Sequence, residues 1–150
     1  MVNKKAVVEA IRQAELSTTG EVCVHLRKKC KEDVLSEGKT FFTKAGLHKT
    51  KQRNAVLIFI ALESRRFAII GDSGIHEKVG DHFWGAGKEL MLEYFKRRDI
   101  QGGLIAGIRK VGEQLKAHFP CLPAPARPAG GGRPGVSGNA NELSNVVTED

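Results

Sequence analysis

Four oxygen-bearing side chains stand where apolar stretches of the sequence give way to polar ones. Glu21 opens an alternating apolar stretch, Asn54 directly precedes the longest apolar run, and Asp72 follows a third apolar stretch. Asp81 lies nine residues beyond Asp72. Carboxylate and amide oxygens are the ligands that hard cations such as calcium and magnesium prefer. If the fold brings these residues together, the sequence predicts a divalent-cation site.

The elements that must position these residues follow from the spacing of apolar side chains. Helical spacing predicts four helices, over residues 3–16, 32–46, 72–94 and 104–115. Alternation in residues 20–27, a continuous β-branched and aromatic run in 55–62, and residues 66–71 predict three strands. The last two are separated by a short polar turn, which is typical of a hairpin.

The predicted element order, α-β-α-β-β-α-α, indicates an α/β fold. A strand–helix–strand unit is almost always a right-handed crossover between parallel strands, and the hairpin adds an antiparallel third strand. Helices can then cover both faces of the sheet. We therefore predict a three-layer α/β/α sandwich with a small mixed sheet.

This topology places Glu21, Asn54 and Asp72 at one edge of the predicted sheet. Asp81 is expected about two and a half turns along the helix that begins at Asp72. Calcium suits the site better than magnesium because turn carbonyls and irregular geometry can complete its coordination. The alternative is that Glu21 and Asp72 are only a polar strand end and a helix cap.

Nucleophilic chemistry has weaker support in the sequence. Cys23, Cys30 and Cys121 are an odd number of thiols without CxxC spacing, so neither a zinc ribbon nor a disulfide framework is indicated. Ser73 and His76 are spaced to meet on one helix face, but a cap serine and a surface histidine are the simpler interpretation. The sequence therefore offers no nucleophile–base pair for catalysis.

Basic residues cluster at the opposite edge of the predicted sheet, where they end the first strand and form the hairpin turn: Arg27, Lys28, Lys29, Arg65 and Arg66. Such a patch could attract nucleic acid, phospholipid headgroups or an acidic protein. The alternative is a solvated basic surface. Aromatic residues are not interleaved with these charges, so we expect neither a single-strand stacking platform nor sequence-specific nucleic-acid binding.

Composition bounds the kind of protein that the chain can form. It has 150 residues, 41% hydrophobic and 27% charged, with a net charge of +7, an ordinary balance for one globular domain. There is no apolar run long enough to span a membrane and no pattern of a secretory signal at the N-terminus. Together with the unpaired cysteines, these features lead us to expect a cytoplasmic protein.

A change of composition after Phe119 predicts a domain boundary. Residues 121–150 contain four of the five prolines and a run of three glycines, which favours a flexible tail. The tail has two arginines and three acidic residues and so carries −1, which leaves +8 on residues 1–120 and gives the net charge of +7. We expect a domain over residues 1–120, followed by a tail that is dispensable for folding.

Several segments, in order, resemble the TPM domain family, named for a thylakoid lumen protein, a photosystem-repair protein and a levamisole-receptor modulator. They are AELSTTGEVCVHL, NAVLIFIALESRRFAIIGDSGI, VGDHFW and GGLIAGIRKVGEQLKAHFP. The NEL sequence at residues 141–143 is similar to the end of small soluble bacterial members. The chain departs from the family at Gly85, where a polar residue is usual, and in its long Gly/Pro-rich linker.

The resemblance implies an α/β/α sandwich and a choice of functions. Some plant members are described as acid phosphatases and some members bind calcium. The first expectation is a divalent-cation-binding interaction or accessory module, with calcium or magnesium as the ion and a protein or membrane-associated complex as the partner. The alternatives are a metal-dependent phosphatase acting on small phosphomonoesters and a nonspecific binder of anionic partners.

Overall fold

The computed structural model describes residues 2–121 and 147–150, apart from the side chains at 81 and 82. In chain order, the helices and strands of these residues are α1 (Lys4–Glu15), β1 (Glu21–Arg27), α2 (Val34–Lys44), β2 (Ala55–Ala61), β3 (Arg66–Gly71), α3 (Ser73–Val79), α4 (Gly85–Lys96), α5 (Ile100–His118) and β4 (Val147–Glu149). Short 3₁₀ turns occupy Leu47–Lys49 and Asp81–Trp84. No helix among these is both long and apolar enough to cross a membrane.

The sheet has the strand order β3-β2-β1-β4. β1 runs parallel to β2, with Glu21 opposite Ala55, and β3 returns antiparallel to β2, with Gly71 opposite Val56. These pairings confirm the predicted parallel pairing of β1 with β2 and the predicted hairpin. β4 is an addition that the sequence analysis did not predict, and it pairs parallel to residues 24–26 of β1.

Alternating side chains of the central strand enter two separate apolar clusters. Ile58 belongs to the cluster formed with α1, α4 and α5, whereas Phe59 belongs to the cluster formed with α2. Both side chains are completely buried. Period-two geometry in a strand that is covered on both faces produces this separation. The predicted three-layer α/β/α architecture is confirmed.

The single helix predicted over residues 72–94 is wrong, because the chain breaks at Gly80. α3 ends at Val79, and Gly80 has φ 79° and ψ −171°, a conformation almost restricted to glycine. The 3₁₀ turn Asp81–Trp84 then leads into α4. The apolar spacing continues across the break because Ile75 and Trp84 both pack into the same core cluster. Spacing alone therefore could not reveal it.

The end of α5 is tied back to the loop before β1. The Thr19 N–H donates to the Phe119 carbonyl at 2.9 Å, and Thr18 forms an isolated bridge with Pro120. Residues 122–146, which include most of the predicted tail and its NEL sequence, lie outside the described residues. The last four residues lie against the sheet, where the Asp150 N–H donates to the Leu26 carbonyl at 3.0 Å.

Candidate functional site

Three of the four predicted ligand residues lie at one edge of the sheet, which we name the acidic edge: Glu21, Asn54 and Asp72. Glu21 is in register with Ala55, the residue after Asn54. The Asp72 N–H donates to the Ala55 carbonyl at 3.0 Å, which brings the end of β3 to the same place. The topology thus juxtaposes the three residues as expected, and their role as ligands stays a prediction.

The acidic edge is buried. Glu21 is 2% exposed, Asn54 1% and Asp72 6%. The Asn54 amide donates to the Thr19 hydroxyl at 3.1 Å, which fixes the orientation of its carbonyl oxygen. Buried polar side chains of this kind need partners, because leaving them without hydrogen bonds is costly.

Asp72 is held by Arg53, a residue that the sequence analysis did not single out. The Arg53 guanidinium donates to both carboxylate oxygens, at 2.8 and 2.9 Å, and Asp72 also caps α3 by accepting from the Ser73 N–H at 2.7 Å. Gly74 permits this arrangement, since a Cβ there would meet the Arg53 carbonyl at 2.6 Å. The predicted capping role of Asp72 is confirmed.

Glu15, at the end of α1, is a second residue near this edge that the sequence analysis missed. Its carboxylate accepts from the Val22 N–H at 2.7 Å, on a stretch of β1 that β4 does not reach. Burial raises the pKa of Glu15 to about 7. Burial, with Glu15 and Glu21 nearby, also raises the pKa of the Cys23 thiol to about 12, so this cysteine is not a thiolate nucleophile.

Asp81 is not on the helix that Asp72 begins, contrary to the prediction. Its backbone opens the 3₁₀ turn after Gly80, and its side chain lies outside the described residues. Among the side chains that the structure does describe, no three of the His, Cys, Asp and Glu type are grouped closely enough to hold a metal ion. A cation at the acidic edge would therefore need the Asn54 oxygen or backbone carbonyls as further ligands.

At the opposite end of the sheet, part of the predicted basic patch is neutralised within the chain. Arg27 donates to both carboxylate oxygens of Asp150 at 3.0 Å and to Glu37 at 3.0 Å. Lys29 lies 3.9 Å from Glu63. Lys28 is exposed. These contacts make Arg27 a structural residue, while its predicted role in binding partners is untested.

His25 shows how β4 is fixed beside Arg27. The imidazole is 2% exposed and stacks on Phe41 with ring centroids 3.8 Å apart. Its Nδ1 lies 2.6 Å from the Thr148 hydroxyl and its Nε2 lies 3.0 Å from Asp150. Burial lowers the pKa of His25, and the Asp150 carboxylate opposes that shift. The imidazole thus links the end of the chain to the centre of the sheet.

The other two arginines of the predicted patch, Arg65 and Arg66, line a groove beside α4. Both side chains are exposed. The predicted patch is therefore divided: Arg27 binds Asp150 beside β4, whereas Arg65 and Arg66 line this groove.

Comparisons with known proteins agree with this architecture. A family model of the TPM domain matches residues 2–114. The NMR structure of the BA42 protein from the psychrophilic bacterium Bizionia argentinensis is similar, with a TM-score of 0.80 and 34% sequence identity over 97% of this chain and 91% of that one. Among curated proteins, none matches this sequence. The match to the family model spans well over half of the chain, so this chain belongs to the TPM domain family.

Proposed function

We propose that this TPM domain is an accessory module that binds a divalent cation, calcium in preference to magnesium, at the acidic edge. The observation that carries the proposal is the convergence of Glu21, Asn54 and Asp72, three buried oxygen-bearing side chains, at one sheet edge. Calcium accepts carboxylate, amide and backbone oxygens in irregular geometry, whereas magnesium demands near-ideal octahedral coordination. The mixed donor set at this edge therefore favours calcium.

The Arg53 guanidinium lies beside the Asp72 carboxylate, where a bound metal ion would have to lie. Both oxygens of that carboxylate are already hydrogen-bonded to it, so a metal ion must compete with Arg53. The Arg53 side chain is 48% exposed and can turn into solvent. This competition makes us expect weak binding, on the order of 10⁻⁴–10⁻³ M, as in weak calcium modules.

Isothermal titration of the full chain with calcium chloride tests this proposal. Asp72→Asn and Glu21→Gln each remove one charge and should abolish most of the binding heat. Arg53→Asn should instead raise the affinity, because it removes the competing guanidinium, and asparagine tolerates the left-handed backbone at this position (φ 53°). Calcium should also raise the melting temperature of this variant more than that of the wild type.

Asp99→Asn is a matched control, because Asp99 caps α5 as Asp72 caps α3, but is not part of the acidic edge. Its calcium binding should equal that of the wild type. Equal calcium-binding heats in the wild type and all four variants would refute the cation site. The absence of heat in both the wild type and Arg53→Asn would refute it as well. Glu21 and Asp72 would then be only a strand end and a cap.

A metal-dependent phosphatase is the alternative function. A colorimetric assay with p-nitrophenyl phosphate, with and without calcium, magnesium or manganese, separates it from the accessory module. If the domain is an accessory module, the wild type should show no turnover above that of Asp72→Asn. Metal-dependent turnover that Asp72→Asn and Glu21→Gln abolish would favour the phosphatase, in which the ion activates water.

A further inference from the structure

A groove lies between the β2–β3 hairpin and the last turns of α4, at the end of the sheet away from the acidic edge. Its volume is about 550 Å³, within the usual range of small-molecule sites. Phe67 and Phe95 line it and meet edge to face, with ring centroids 5.2 Å apart. Leu92 also lines the groove and is 44% exposed. The groove thus presents an apolar surface to solvent.

The position of Phe95 depends on Gly103 in α5. A Cβ at residue 103 would collide with the Phe95 ring. The glycine therefore lets the aromatic ring lie against α5. A larger residue at 103 would displace this ring, which lines the groove.

Four cationic side chains line the same groove: Arg65, Arg66, Lys96 and Arg98. All four residues are exposed. In the part of the chain that the structure describes, none of them forms an ion pair with a carboxylate. Arg27, at the same end of the sheet, is by contrast paired with Asp150 and Glu37. The cations of the groove are thus available to an external anion.

Two of these cations stand at backbone positions that favour glycine or asparagine. Arg65 in the hairpin turn has φ 56°, and Arg98 after α4 has φ 62°. Arg98 occupies the left-handed position of a helix-ending motif in which the Asp99 N–H donates to the Tyr94 carbonyl at 3.0 Å. An arginine at such a position costs backbone energy. A use for the side chain would account for arginine at both sites.

We propose that this groove binds an anionic amphiphile, a single alkyl chain that ends in a carboxylate or a phosphate. The alkyl chain would lie along Phe67 and Leu92, and the anionic head would be bound by Arg65 and Arg98. A planar guanidinium suits either head group because it can donate two parallel hydrogen bonds. Nucleic acid is disfavoured because the aromatic rings are partly buried and packed against each other.

Titration calorimetry with sodium dodecanoate below its micelle concentration tests the proposal on the full chain. The Arg65→Asn/Arg98→Asn variant should bind dodecanoate at least roughly tenfold more weakly, because charged hydrogen bonds to the head are lost. Asparagine fits the left-handed backbone, so the melting temperature of this variant should not fall. Leu92→Ser should also weaken binding, because the alkyl chain loses apolar contact.

Arg97→Asn is a matched control, because Arg97 adjoins Arg98 but stacks on Tyr94 and is not among the residues lining the groove. It should bind dodecanoate like the wild type. Inorganic phosphate and dodecanol test the head and the chain alone, and each should bind more weakly than dodecanoate. The proposal would be overturned if the double variant bound dodecanoate as tightly as the wild type does. It would also be overturned if the wild type bound inorganic phosphate or dodecanol as tightly as dodecanoate. Binding to phosphatidylglycerol vesicles without binding to free dodecanoate would overturn it in favour of a membrane surface.

Discussion

Arg53 at the acidic edge and Arg65 and Arg98 at the groove share a left-handed backbone, with φ of 53°, 56° and 62°. All three arginines are exposed, but Arg53 donates to a carboxylate that is 6% exposed, whereas the two groove arginines form no ion pair among the described residues. The same local conformation thus serves different purposes. At one end of the sheet the arginine neutralises a buried carboxylate, and at the other it has no ionic partner among the described residues.

Carboxyl groups also differ between the two ends. Glu15, beside the acidic edge, is partly buried, and this burial raises its pKa to about 7. Asp150, at the end of the sheet that holds β4, is half-exposed, and its hydrogen bonds to Arg27 lower its pKa to about 2. Lowering the pH should therefore stabilise the first region and destabilise the second.

The largest expected effect concerns Glu15. Because its pKa is raised in the folded state, its contribution to stability is complete below the unfolded value of 4.5 and is lost as the pH rises through about 7. Between pH 5 and 8 the free energy of unfolding should fall by up to about 3 kcal/mol. Glu15→Gln should remove this fall, because glutamine still accepts from the Val22 N–H but does not ionise.

Urea unfolding at both pH values measures this effect. Glu9→Gln is the matched control, since Glu9 is an exposed glutamate on the same helix. It should retain the pH dependence of the wild type. If the free energy of unfolding of Glu15→Gln fell between pH 5 and 8 as much as that of the wild type, the Glu15 carboxyl would not be the source of the pH dependence.

Replacing the paired arginine should cost more stability than replacing an unpaired one. Arg53→Asn leaves the Asp72 carboxylate buried without its cation and should lower the free energy of unfolding by about 2 kcal/mol. Arg98→Asn makes the same chemical change at the same kind of backbone position and should not lower the free energy of unfolding. Chemical denaturation of the two variants side by side decides the comparison, and equal losses would contradict it.

The link between Arg27 and Asp150 should contribute less, since Asp150 is 52% exposed and solvent screens the pair. Its contribution is present above pH 3.8 and lost as the pH falls through about 2. Asp150→Asn should cost about 1 kcal/mol or less at pH 7. It should also speed hydrogen exchange of the Asp150 amide, which donates to Leu26. Unchanged exchange would mean that backbone pairing alone holds β4.

The smallest expected effect is a gain. Arg98→Asn relieves an unfavourable left-handed conformation and should raise the free energy of unfolding by about 0.5 kcal/mol. Arg97→Asn, one residue away with φ −88°, should show no such gain. A loss of stability in Arg98→Asn would indicate that the Arg98 side chain has a structural partner.

The sequence was informative where a local pattern determines the structure. The β-branched run of residues 55–62 identified the central strand, and the topology rules then placed Glu21, Asn54 and Asp72 at one edge. Gly80 was missed because apolar spacing continues across the break between α3 and α4. A glycine one residue past an apolar stripe was the available signal for it.

Local patterns of this kind could not predict contacts between segments that are distant in the sequence. β4 has three residues, and its docking depends on His25 and Arg27, more than a hundred residues earlier in the chain. Nothing local in its sequence identifies that partner. The pairing of Arg53 with Asp72 also depends on the loop before β2 meeting the end of β3. A basic residue next to Asn54 was visible, but its carboxylate partner was not.

Amide chemical-shift mapping of the full chain tests most directly whether the two ends of the sheet bind opposite charges. One series is titrated with calcium chloride and a second with sodium dodecanoate. We expect calcium to shift the amides of Glu21, Asn54 and Asp72 and dodecanoate to shift those of Arg65, Leu92 and Arg98, with no overlap between the two sets. Shifts at the same residues in both series, or calcium shifts confined to surface carboxylates away from the acidic edge, would contradict it.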